Sequence, residues 1–182
     1  MFDLITIIFL GLIVILVFFF TILSFWSFFI VRVPFVPFSR KKIEKILGFL
    51  NLEADRKIYD LGCGDGRVLK MAYERFGVRG IGFEINPLAY LLAKIGTWQY
   101  RQKIKIYRQN FLKICLGEPD YVFIYLFPGA MAELERKLLA EIKKPCQIIS
   151  FIFYFPNLKP TKILEIKTGS KIEKVFVYSL ND

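Results

Sequence analysis

The sequence contains no histidine. That absence removes Ser-His-Asp and Cys-His nucleophile systems, HExxH zinc sites and any imidazole base. Cysteine is scarce: Cys63, Cys115 and Cys146 are odd in number, widely separated, and form no C-x-x-C pair. Neither a zinc knuckle nor a thioredoxin-type motif is available, and no metal is expected. The three read as reduced thiols in a domain facing the cytoplasm, and Cys63, set inside a glycine turn, is the one with scope for reactivity. Charge is missing altogether from Leu4 to Val31, and no basic residue precedes that run. A cleaved signal peptide wants a basic n-region and an apolar core of about 7–15 residues, so that alternative is disfavoured.

The uncharged run is 28 residues long, and 22 of them are Leu, Ile, Val or Phe. As a helix it would measure about 42 Å, against a hydrocarbon core of about 30 Å. Residues 1–32 are therefore expected to form a retained transmembrane anchor, with Ser24, Trp26 and Ser27 at the interfacial end. Arg32, Arg40, Lys41 and Lys42 follow the span. This bias places the N-terminus outside and the remaining chain in the cytoplasm, beside anionic headgroups. A single span without intramembrane charge lines no pathway, which excludes a channel. Of 26 basic and 16 acidic residues, only Asp3 falls before residue 32, so the rest carries 26 − 15, or +11.

Residues 33–56 read as a linker and an N-terminal helix. Val33-Pro-Phe-Val-Pro-Phe38 is held extended by its two prolines, and Ser39 is placed to cap a helix with Ile43, Ile46, Leu47 and Leu50 on one face. From residue 57 to 182 short apolar strands alternate with amphipathic helices. Strands are expected at 57–61, 79–84, 103–108, 120–127, 146–153, 162–167 and 172–180. Helices are expected up to Phe76, from Asn86 to about Tyr100, and from Gly129 to Lys143. In the last helix, early Glu133 and Glu135 and late Lys143 and Lys144 would suit the macrodipole. The alternation predicts an α/β fold: a mostly parallel seven-stranded sheet with helices on both faces and a C-terminal antiparallel hairpin turning at Thr168-Gly169-Ser170.

The densest signal is Ile58-Tyr-Asp-Leu-Gly-Cys-Gly-Asp-Gly-Arg67: a strand, an acid near its end, G-x-G-x-G, then a helix. The glycines permit a tight turn and a close ligand, and the helix behind them offers free N–H groups. A dinucleotide fingerprint would want glycine where Arg67 stands. Glu84 ends the next strand 22 residues after Gly62, where an acid reaches a ribose diol in this architecture. Asp60 can meet an ammonium. These three pieces in order fit a nucleoside bearing an amino acid, such as S-adenosylmethionine.

Asp60-Leu-Gly-Cys-Gly-Asp-Gly-Arg67, Gly82-Phe-Glu-Ile-Asn-Pro87 and Gln109-Asn-Phe111 resemble the first three motifs of Rossmann-like class I S-adenosylmethionine-dependent methyltransferases. More narrowly, the chain resembles the membrane-anchored protein-lysine methyltransferases of the ATP synthase c subunit and adenine nucleotide translocase. That likeness rests on the N-terminal span, the Val33–Pro37 linker, the G-D-G-R turn, E-x-N-P, Phe127-Pro-Gly-Ala-Met131 and Glu135-Arg-Lys-Leu138. It implies S-adenosylmethionine as cofactor, with Asp60, Gly62, Cys63 and Gly64 around the methionine part. Glu84 would hold the ribose, and Asn110 and Phe111 the adenine. Asn110 stands where many members have aspartate.

Methyl transfer needs an acceptor positioned away from water, and an apolar pocket favours the neutral, attacking amine. Tyr125, Phe127, Pro128 and Phe155 are the acceptor-pocket candidates, while Phe123, Phe151 and Phe153 read as core. The base-methylation motif Asn/Asp-Pro-Pro-Tyr/Phe is absent, and nucleic acid is not an expected partner. The leading expectation is a membrane-anchored lysine methyltransferase acting on a membrane-associated protein. A lipid or small-molecule methyltransferase and a non-catalytic cofactor-binding scaffold are the alternatives.

Overall fold

The computed structural model describes residues 3–31, 39–168 and 171–180. The expected Val33–Phe38 linker, Arg32 and the Gly169-Ser170 turn lie outside them, as do the side chains of Ser24, Trp26 and Ser27. The chain divides into two compact units, Met1–Pro34 and Phe35–Asp182.

In the first unit, helix α1 (Leu4–Val31) is uncharged throughout. Asp3 caps it, its Oδ1 accepting the Thr6 N–H at 2.8 Å. Leu4–Ile22 is long and apolar enough to cross a membrane, and none of it is buried.

The second unit holds α2 (Arg40–Gly48), β1 (Lys57–Leu61), α3 (Arg67–Phe76), β2 (Arg79–Phe83), α4 (Pro87–Gly96), β3 (Ile104–Tyr107), β4 (Tyr121–Ile124), α5 (Pro128–Glu141), β5 (Cys146–Phe151), β6 (Lys162–Thr168) and β7 (Lys171–Leu180). The strands form one sheet in the order β3-β2-β1-β4-β5-β7-β6. The β1–β2, β1–β4, β2–β3 and β4–β5 pairs are parallel; β7 runs antiparallel to both β5 and β6. The expected α/β architecture, including the closing hairpin, is what forms. Strand alternation splits the core between the two faces: Tyr121 and Phe123 join α2, α3 and α4, whereas Val122 and Ile124 join α5. Residues Ile43, Ile46, Leu47 and Leu50 are all buried as their spacing indicated, so α2 belongs to the core of this unit.

Several boundaries differ from expectation for local reasons. β4 ends at Ile124 and β5 at Phe151, leaving Tyr125–Phe127 and Ile152–Phe155 as loops over the strand ends. The helix from Pro87 breaks at Gly96, where the Thr97 hydroxyl donates to the Ala93 carbonyl at 2.8 Å. Ser39 makes no side-chain cap; its carbonyl accepts the Lys42 and Ile43 N–H groups instead. α5 stops at Glu141, so Lys143 and Lys144 do not meet its dipole, and Glu135 is buried rather than facing solvent.

Candidate active site

Progressing outward from β1, the chain builds β2 and β3 on one side and β4 and β5 on the other. The strand order reverses between β1 and β4, and ligands of open α/β sheets bind outside the carboxyl ends at such a point. Of the sequence-derived site residues, Asp60 is the penultimate residue of β1, and Gly62, Cys63, Gly64, Glu84, Asn110, Phe111 and Tyr125–Pro128 follow the strand ends.

The turn after β1 is left-handed at Gly62, Gly64 and Gly66, and a Cβ on Gly62 would lie 2.9 Å from Leu126 Cδ2. Its N–H groups are largely spent internally. Those of Gly62 and Cys63 both donate to the Phe83 carbonyl, at 2.8 and 3.0 Å. That of Gly66 donates to Cys63, and that of Gly64 to Glu84 Oε2 at 2.9 Å. Arg67 Nε and its backbone N–H turn to the Asp65 carboxylate. The donors of the turn itself, and the first N–H of α3 at Arg67, are thus engaged within the protein. A phosphate cradle needs such donors aimed outward, so this turn does not suit a pyrophosphate, while the close approach that glycine allows remains.

Asp60 is 3% exposed, and its Oδ2 has no hydrogen-bond partner among the described residues. Burial, then the Glu84 and Asp65 carboxylates, push its carboxyl well above the usual range. Glu84 is also buried and raised by desolvation, but less so, because backbone N–H groups stabilise its charge. Its Oε1 accepts the Asn86 N–H at 2.8 Å, so each oxygen already holds one donor. A carboxylate has about four lone-pair sites, so with the Ile85 N–H also stabilising its charge a site remains for a ribose hydroxyl. Asn110 caps the short turn Phe111–Lys113, its Oδ1 accepting from Leu112 at 2.9 Å. The amide NH2 is then the end able to meet a base. Phe111 is half-buried beside the α5-side core.

Around β4 and β5, Tyr125 is half-buried and meets Phe151 edge-on at 5.1 Å. Phe127, 43% exposed, precedes α5, and Pro128 opens it. Phe155 does not share their setting: it is 1% exposed and packed edge-on against Tyr178. Phe123 and Phe151 are core, whereas Phe153 is only partly buried.

Cys63 is buried, and desolvation followed by the Asp60 and Glu84 charges pushes its thiol well up. It is an inert packing residue rather than a nucleophile. Thiol labelling of the folded protein is expected to modify exposed Cys115 rapidly and to leave Cys63 and Cys146 unlabelled until denaturation; mass spectrometry of the digested protein reads the pattern.

Residues 60–162 match the profile of the ANTKMT methyltransferase domain family. The chain belongs to this family. It is a methyltransferase, and the matched stretch begins at Asp60 and runs through every strand end described above. Similar proteins include a protein-lysine N-methyltransferase of Saccharolobus islandicus, 28% identical over 83% of this chain and 96% of the relative. The human lysine N-methyltransferase of the ATP synthase c subunit is 29% identical over 81% of this chain, which spans 62% of that protein's length. Among solved structures, an RNA methyltransferase of Salinibacter ruber in complex with S-adenosyl-L-homocysteine superposes with a TM-score of 0.72. It is 21% identical, covering 79% of this chain and 93% of that one, and shows the shared fold.

Sequence reasoning missed Glu135. Met131, Leu134, Glu135 and Leu138 follow the i, i+3, i+4, i+7 spacing of one helix face. A carboxylate on that face, rather than near the helix start, was the available signal.

Proposed function

We propose that this methyltransferase is membrane-anchored, uses S-adenosylmethionine, and methylates lysine on a membrane-associated protein. The buried Asp60 carboxylate with an unpartnered oxygen carries the cofactor reading. Burying a charge is costly unless it is paired, and an ammonium supplies the pair. The spent N–H groups of the turn favour the same class of ligand over a phosphate. Asp60, Gly62, Cys63 and Gly64 hold the methionine part, Glu84 the ribose, and Asn110 with Phe111 the adenine. The bound cofactor supplies a methyl group activated on a sulfonium. Tyr125, Phe127 and Pro128 orient the acceptor, exclude water and favour the neutral amine.

The similarity to the Saccharolobus and vertebrate lysine methyltransferases supports a protein acceptor. Residues 1–32 serve as the anchor, 33–56 as the linker and first helix, and 57–182 as the catalytic part, held with the N-terminus outside and the catalytic part in the cytoplasm. Calorimetry with S-adenosylmethionine is expected to give saturable binding, weakened at least about tenfold by Glu84→Ala, since charge-assisted bonds contribute about 1.5–3 kcal/mol. Absence of binding in the parent protein overturns the proposal. Labelled methyl from the cofactor, added with membrane extract, is expected on lysine in the protein fraction; label confined to lipid replaces the lysine reading with a lipid one.

A further inference from the structure

The segment that follows β5 is fastened more heavily than a connecting loop requires. It starts with Ile152 at φ 71°, a left-handed conformation that β-branched residues avoid. The Phe153 N–H donates back to the Phe151 carbonyl at 2.9 Å, closing a three-residue turn around it. Turns of this hand are rare and strained. Ser150 Oγ donates to the Phe153 carbonyl at 2.6 Å, and the Phe155 N–H donates to Tyr178 Oη at 3.0 Å. The far end is gripped by α5. Glu135, 1% exposed, accepts the Asn157 and Leu158 N–H groups on Oε1 and the Asn157 side-chain amide on Oε2. Between these ties stand Phe153 and Tyr154, the latter 65% exposed and edge-on to Phe176.

Strain of this kind persists only where the surroundings over-determine it, and it gathers at functional sites. A buried carboxylate is likewise retained only when its lone pairs are filled by good donors. Both occur in one segment, at the carboxyl end of a strand bordering the candidate site. We propose that Glu135 is a positioning residue: it clamps Asn157 and Leu158 so that the Ile152–Phe155 turn presents Phe153 and Tyr154 as a fixed wall for the methyl acceptor. This inference rests on the reading of the β4 and β5 ends as the acceptor side.

The test uses the full chain in detergent with S-adenosylmethionine, its labelled methyl group and membrane extract as acceptor. In Glu135→Gln, Oε1 can still receive both backbone N–H groups, but an amide now opposes the Asn157 amide. The acceptor concentration for half-saturation is expected to rise about tenfold, with maximal rate and cofactor affinity within about twofold of the parent protein. Asn157→Asp alone, which sets two carboxylates together, should behave similarly. The pair Glu135→Gln/Asn157→Asp exchanges donor and acceptor and should restore half-saturation to within about threefold. Unchanged half-saturation in Glu135→Gln, or equal losses in acceptor and cofactor binding, overturns the proposal. So does a double variant that folds with the parent melting temperature yet recovers nothing. The comparison is made on whichever fraction the parent protein labels, so label in lipid overturns the lysine reading while the clamp is still tested. No transfer into either fraction overturns both.

Discussion

Replacing Asp60 by asparagine is expected to weaken S-adenosylmethionine binding by about a hundredfold, the scale of breaking a buried charge pair at about 3 kcal/mol. The same substitution should stabilise the cofactor-free protein at neutral pH. In the unfolded chain the Asp60 carboxyl ionises in its ordinary range, and in the folded chain only at higher pH, because of burial and the neighbouring Glu84 and Asp65 charges. Between those two values the folded state binds the extra proton, so stability falls as pH rises through the window. Asparagine has no such proton and costs less to bury than an unpaired carboxylate. Melting curves should therefore place Asp60→Asn above the parent protein near neutrality, with the gap closing as pH drops into the ordinary carboxylate range. The parent protein should also bind the cofactor more tightly as pH rises through that window, releasing a proton measurable by calorimetry in buffers of different ionisation enthalpy. If Asp60→Asn binds as tightly as the parent protein, the orphaned oxygen is not the ammonium site. A gain in melting temperature with unchanged affinity would assign Asp60 a purely structural burial.

Gly82→Ala is expected to be the most damaging single methyl group in the domain. A Cβ there would lie 2.7 Å from Cys63 Sγ, 2.8 Å from Leu69 Cδ1 and 2.9 Å from Ile106 Cδ1. Cys63, Leu69 and Ile106 are themselves buried, so making way for the methyl group means repacking the core around three side chains at once. Overpacking of this sort costs about 2–3 kcal/mol, which for a unit of this size lowers the melting temperature by about 5–10 °C. Gly82 pairs with Asp60 in the β1–β2 register and stands two residues before Glu84, so its displacement should also weaken cofactor binding. Removing the closest obstacle tests the cause. Cys63→Ala by itself should cost about 1 kcal/mol, and the double variant should lose clearly less than the two losses added. Strict additivity would place the clash elsewhere.

Both predictions concern residues that sequence patterning brought to notice, and that patterning has physical limits. The glycine turn was legible because three glycines, a preceding apolar strand and a following helix leave few conformations, and positive φ at all three positions bears that out. The direction of its N–H groups was not legible. It depends on the Phe83 carbonyl and the Glu84 carboxylate, which approach only after β2 pairs with β1. Strand ends behaved alike. Apolar runs continued through Phe127 and Phe153, yet the ladders stop at Ile124, opposite the last residue of β1, and at Phe151, where Ile152 turns to positive φ and leaves β7.

Local chemistry settled the order of strands and helices, the apolar span, the turn and the acids beside it, since each rests on residues adjacent in the chain or on a helical or strand period. Long-range pairing settled the rest. It brought Glu135 of α5 to Asn157, set Phe155 against Tyr178 rather than beside Phe127, and left one oxygen of Asp60 without a partner. Burial and hydrogen-bond completion are properties of what surrounds a side chain, and those surroundings are assembled from segments far apart in sequence.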